Sequence, residues 1–170
     1  VLIGVSAGSL PPVARADTPL PPPKLKEISS PNQEYCAVLD PRKMTTTVFR
    51  VAADGKRTQF WQMYGWFRVV DLADDGEHLI VGHPGINLLP LNVEKDDILI
   101  YFIRRGEIIK TASLQELIRR PANLKRTASH YLWGSYGGLD QDGRYVVETV
   151  EDRTIRFDVR TGEPIEDEKP

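Results

Sequence analysis

The sequence predicts a mainly β protein, built from antiparallel sheet repeats with one short helix. Short runs of β-branched and aromatic residues recur along the chain, separated by Gly, Asp and Asn turns. A unit of turn, strand, turn and strand returns three times. A single Ser-x-x-Glu pair stands ahead of an apolar helical stripe. The 170 residues are 41% hydrophobic and 27% charged, which is the composition of a folded domain and not of a disordered or membrane-spanning chain.

The elements follow in chain order. Residues 1–10, VLIGVSAGSL, carry no charge, and Pro11-Pro12 and Val13-Ala14-Arg15-Ala16 come after them. This is the pattern of a secretory signal peptide without its basic start, with small residues placed for cleavage between Ala16 and Asp17. Residues 17–29 form a Pro-rich leader; prolines at 19, 21, 22 and 23 favour an extended polyproline conformation. The β-repeat domain is expected over 30–165, with an acidic tail at 166–170. Its strands are expected at Tyr35–Leu39, Thr46–Ala52, Thr58–Met63, Trp66–Asp71, His78–Val81, Ile98–Ile103, His130–Trp133, Tyr145–Val150 and Thr154–Val159. The helix is expected over Leu114–Arg120. Ser113 and Glu116 supply its capping box, Leu114, Leu117 and Ile118 its apolar face, Arg119 and Arg120 its basic last turn, and Pro121 its stop.

The repeat is clearest over 139–165, where Asp142-Gly143 turns into Tyr145-Val146-Val147, Ile155–Val159 follows, and Thr161-Gly162 closes the unit. A second unit runs from Leu72 through LADDGEHLIVG and resumes at Ile98 as ILIYFIRRGEII; a third, weaker one begins at Ser30 with SPNQEYCAVLD. The turn pairs begin at Pro31, Asp74 and Gln141, so the second interval carries an insertion, which holds the helix and the loop 82–92. These units resemble the blades of WD-repeat and quinoprotein-like β-propellers. The resemblance implies propeller-like sheets, with a sandwich as the alternative packing, and it brings no active site with it. The Trp-Asp dipeptide of WD repeats is absent, and three units are fewer than a closed ring needs. The helix is the expected cover for an open sheet edge.

Composition narrows the function. With 22 Lys+Arg against 24 Asp+Glu and a pI near 6.0, the chain lacks the cationic surface that nucleic acid demands. A lone cysteine, Cys36, excludes an internal disulfide and reads as a buried, inert thiol. Asp140-x-Asp142-Gly143 looks like part of a calcium loop but has Gly138 and Thr149 where the first and last ligands belong, so it reads as a hairpin turn. His78 and His83 fall on opposite faces of a strand and read as surface or turn residues. Glu148 and Glu151 read as solvent-facing at a turn. No metal site, no cofactor and no transmembrane span is expected, and no nucleophile elbow or phosphate loop is present.

Two aromatic clusters remain, around Phe60–Phe67 and Tyr131–Gly138. They fill a core or form a flat platform. The apolar loop 82–92 tucks against the core or faces a partner. The functional reading is a secreted or periplasmic, non-catalytic β-repeat domain that binds a protein. The alternative is a carbohydrate-binding module or envelope enzyme using the aromatic platform and the acidic turns. The candidate ligand-binding residues are Trp133, Tyr136 and Asn87, with Trp66 a weaker member.

Overall fold

A computed structural model describes residues 19–165. The signal-peptide segment, its cleavage point and the acidic tail lie outside the described residues.

Three four-stranded antiparallel sheets follow one another along the chain. The first holds β1 (Lys26–Ser29), β2 (Tyr35–Asp40), β3 (Thr45–Val51) and β4 (Arg57–Tyr64) in simple order. The second holds β5 (Val70–Leu72), β6 (His78–Gly82), β8 (Ile98–Arg104) and β9 (Glu107–Ser113), with β7 (Leu88–Pro90) leaving the sheet between β6 and β8. After the one-turn helix α1 (Leu114–Leu117), β10 (Lys125–Arg126) and β11 (His130–Leu132) pair with β7 in a small side sheet. The third main sheet is β12 (Gly134–Leu139), β13 (Tyr145–Thr149), β14 (Thr154–Phe157) and β15 (Pro164–Ile165).

Each sheet opens with the same turn, and local chemistry explains it. Ser30–Gln33, Ala73–Gly76 and Asp140–Gly143 each close with a backbone bond from the fourth residue to the first, at 2.9, 3.0 and 3.0 Å. Gln33, Gly76 and Gly143 occupy the left-handed region at φ 62°, 67° and 73°. An acidic or amide side chain caps each turn. Asn32 Oδ1 accepts from the Glu34 N–H, Asp75 Oδ1 from Glu77 and His78, and Asp140 Oδ1 from Asp142 and Arg144. The acidic turns thus have their carboxylates engaged in holding hairpins.

Two apolar layers pack the three sheets face to face. Ala37, Leu39, Val48 and Trp61 meet Leu72, Leu79, Val81 and Ile103 between the first and second sheets. Ile80, Ile100 and Phe102 meet Trp133, Tyr145, Val147 and Phe157 between the second and third. β6 is buried at every position because its alternating side chains feed both layers: Leu79 and Val81 point one way and Ile80 the other. His78, read as a surface histidine, is buried and bonded through Nδ1 to Asp75 Oδ2 at 2.7 Å. Cys36 is buried, and burial pushes its thiol up.

Several expectations are corrected. Residues 26–29, read as leader, form the first strand of the first sheet. Trp66–Phe67 and Arg68–Val69 are not strand; β5 begins only at Val70. The helix stops at Leu117 with Ile118 extended, because the Arg119 and Arg120 N–H groups both donate to the Glu151 carboxylate at 2.9 Å, and Asn123 Nδ2 joins them at 2.8 Å. Glu151 therefore faces the insertion as a clasp instead of water, and the Arg119 N–H foremost among these donors holds its carboxyl below the usual range. Leu114 and Leu117 of the helix, and Ile118 at its end, sit in the second apolar layer. The Glu116 half of the capping box is in place, accepting from the Ser113 N–H at 2.6 Å and its hydroxyl at 2.7 Å.

Candidate functional site

The first strands of the three sheets converge on one cleft of about 500 Å³. Lys26 of β1, Asp71 of β5 and Ser135 and Tyr136 of β12 line it, with Arg68 and Asn87 at its rim. Strand alternation places Asp71 there. Val70 and Leu72 are buried in the first apolar layer, so the residue between them turns to the other side, toward β12. β12 carries a bulge between Tyr136 and Gly138, and Gly138 adopts φ 77°. An added Cβ at Gly138 would lie 3.6 Å from Asp71 Oδ1, so the carboxylate rests beside bare backbone.

The electrostatics single out Asp71. Burial raises its carboxyl above the ordinary range, while the Lys26 ammonium and the Tyr145 hydroxyl act in the opposite sense. Burial likewise lowers Lys26, against the attraction of Asp71. Lys26 Nζ donates to the Arg68 carbonyl at 3.1 Å, which leaves two further N–H bonds to offer. The Tyr145 hydroxyl is buried and forms no bond of good geometry; burial first, then the Asp71 charge, hold it protonated. This is a mutually perturbed acid and cation in a cleft, backed by a buried phenol, and such perturbed groups are commonly found at proton-transfer sites.

Of the residues singled out from the sequence, the structure brings Trp133, Tyr136 and Asn87 together. Trp133 and Tyr136 stack edge to face with centroids 5.0 Å apart. Trp133 is fully buried, however, so its ring is no platform. Its Nε1–H donates to the Ile86 carbonyl at 3.1 Å and pins the loop that carries Asn87. The Tyr136 hydroxyl accepts from the His83 N–H at 2.7 Å and donates to the Leu99 carbonyl at 2.9 Å, so only its ring is offered to the cleft. The loop is tucked: Leu89 is buried in β7. Trp66 stands apart in a second cavity, its Nε1–H on the Lys24 carbonyl at 2.9 Å.

Lys26, Arg68 and Asp71 escaped sequence reasoning. Asp71 was visible as a charge between two apolar strand residues, a pattern that does mark a polar group placed in a core region. Lys26 carried no signal, being hidden in the Pro-rich stretch. Among the described residues no group of three or more His, Cys, Asp or Glu side chains lies where it could hold a metal ion, and no helix is long and apolar enough to cross a membrane.

Three successive four-stranded antiparallel sheets with their first strands gathered at one cleft form a propeller-like arrangement, and the chain is similar to solved structures. One is a periplasmic gluconolactonase of Pseudomonas aeruginosa, at 12% identity and TM-score 0.40, with 82% of this chain and 37% of that one covered. Another is a putative 6-phosphogluconolactonase of Bacteroides fragilis, at 14% identity and TM-score 0.39, with 82% and 36% covered. No family model and no curated protein matches the sequence. The chain spans little more than a third of the length of these two structures, and the likeness is one of fold alone. Neither is a WD-repeat or quinoprotein by name, so that finer assignment is not made. The expectation of a non-catalytic protein-binding domain is corrected here. What overturns it is the cleft, which holds a perturbed acid and cation, while Trp133, the first of the candidate binding residues, is buried core.

Proposed function

We propose that the cleft is a general acid–base site that hydrolyses a small, hydroxylated ester of the sugar-lactone class. The observation that carries this reading is Asp71, a carboxylate raised by burial that shares one cleft with Lys26. A carboxylate with a raised pKa is a better base than a solvated one. Asp71 takes a proton from water as the water oxygen bonds to the acyl carbon. Lys26 faces the negative charge that develops on the acyl oxygen. As the ring C–O bond breaks, the departing alkoxide recovers the proton from Asp71, and the carboxylic acid so formed releases the water's other proton to solvent, leaving a carboxylate product beside Lys26 and Arg68. Asn87 and Ser135 supply donors and acceptors for hydroxyl groups, and the Tyr136 ring gives one apolar wall.

The test is hydrolysis of a panel of aldonolactones and phosphorylated aldonolactones, followed by pH-stat. Turnover by the intact chain is expected to fall by about 100-fold or more in Asp71→Asn. Equal turnover in wild type and Asp71→Asn overturns the assignment. We further propose a cell-envelope location, supported by residues 1–16 alone; N-terminal sequencing of the native protein should begin at Asp17, and a native chain that retains residues 1–16 rejects it.

A further inference from the structure

A second cavity, of about 750 Å³, opens between the first and second sheets on the far side of Arg68. Its lining is mostly apolar and aromatic, including Met44, Met63, Tyr64, Trp66, Phe67 and Tyr101. Three apolar side chains at its margin are turned outward: Tyr64 is 76% exposed, Ile108 60% and Met44 40%. The edges of β4 and of the β8–β9 hairpin thus leave apolar surface uncovered. The sheet core does not require this, since Trp61 and Ile103 already fill the layer beneath.

One occupant is already at its rim. Pro23 lines the cavity, and the next residue, Lys24, accepts the Trp66 indole hydrogen bond through its carbonyl at 2.9 Å. The Arg68 guanidinium lies 5.4 Å from the Trp66 ring and steadies its other side. A proline run holds φ near −65° and has no N–H to donate, so its carbonyls stay free and its rings form a ridge with little entropy left to lose. A flat aromatic groove with an indole N–H pointing at a carbonyl is the complement of such a ridge.

We propose that this cavity is a recognition groove for a proline-rich segment in the polyproline conformation. The chain's own Pro19–Pro23 stretch, which meets the groove at Pro23 beside the Trp66–Lys24 bond, is the occupant assigned to it in cis. That seating has a consequence for the cleft, because Lys26 follows two residues after Lys24 and its Nζ donates to the Arg68 carbonyl. The strap fixes the strand that brings Lys26 to Asp71.

Fluorescence anisotropy of a labelled peptide of residues 19–25 tests the proposal with the full chain. The peptide must compete with the strap in wild type. In the variant Pro21→Ser, Pro22→Ser, Pro23→Ser it should bind at least fivefold tighter. Adding Trp66→Phe to that variant should weaken binding by about tenfold, the value of a lost hydrogen bond. Tyr64→Ala, at an exposed position that folding does not need, should also weaken it, and a peptide with alanine in place of proline should not bind. The proposal is overturned if the triple variant shows no saturable binding, if the alanine peptide binds equally, or if both Trp66→Phe and Tyr64→Ala bind like their parent.

Discussion

Asp71 and Asp75 lie four residues apart and are driven in opposite directions. Burial raises Asp75 as it does Asp71, but the bonds from the His78 ring, the His78 N–H and the Glu77 N–H outweigh it and bring the carboxyl down to about 2. Asp71 has Lys26 and Tyr145 for company, and they do not offset its burial. Asp75 therefore stabilises the fold above the ordinary aspartate range, and that stability is lost as pH falls toward 2. Asp71 has the reverse sign. Its folded pKa lies above the unfolded one, so its ionised form strains the native state, and the protein gains stability as pH falls through that folded pKa. Asp71→Asn should accordingly melt higher than wild type at neutral pH, with the difference shrinking as pH approaches about 4, near the unfolded aspartate value. Melting curves from pH 4 to 8 check this, and an Asn variant that melts lower throughout shows that Asp71 is structural. A residue whose removal stabilises the fold is one retained for another purpose.

At the scale of the element, the three opening turns separate backbone demand from packing demand. Gly76 and Gly143 have the same left-handed conformation, yet their surroundings differ. A Cβ at Gly76 would run into the Tyr35 ring, and the Gly76 carbonyl takes the Trp61 indole bond at 2.7 Å, whereas Gly143 meets nothing within 4 Å. Gly143→Ala should cost about 1 kcal/mol for the conformation alone. Gly76→Ala should cost clearly more, since Tyr35 must move as well. Chemical denaturation of both variants checks the order; equal losses would mean that Tyr35 yields freely. These turns were legible in the sequence because Asp, Asn and Gly state their requirement locally, and so were the long strands with period-two apolar runs. Among the strands that escaped were β1, hidden among charges after the proline run, β9, whose Glu107–Ile109 start is exposed, and β12, whose glycines look like loop. Gly134 is in a strand where other backbone comes too close for a side chain. A Cβ at Gly134 would collide with the Glu148 carbonyl, a long-range fact with no local signature. The helix was over-read for the opposite reason: its local signals were sound, but Glu151, thirty or so residues away, captured its final N–H groups.

For the molecule as a whole, the order of sheets makes the site. Each sheet contributes its first strand to the cleft, and the two apolar layers set the angle at which those strands meet. Chemistry from residues 26, 71 and 135–136 is thereby gathered from three separate sheets. The aromatic cluster Tyr131–Gly138 borders the cleft, where Tyr136 forms a wall, and Trp133 pins the loop of Asn87 from within the core. The charged partners could not be found the same way, since neither Lys26 nor Asp71 is near the other in sequence or embedded in a motif. The central claim is that this convergence perturbs Asp71 for proton transfer. Carboxyl carbon NMR on the intact, labelled chain, with Asp71 assigned by its Asn variant, measures it directly. The account predicts a titration midpoint above the usual aspartate range, moving further up in Lys26→Met as the opposing cation is lost. A midpoint at or below the ordinary aspartate value of about 3.9, or one indifferent to Lys26→Met, would contradict it.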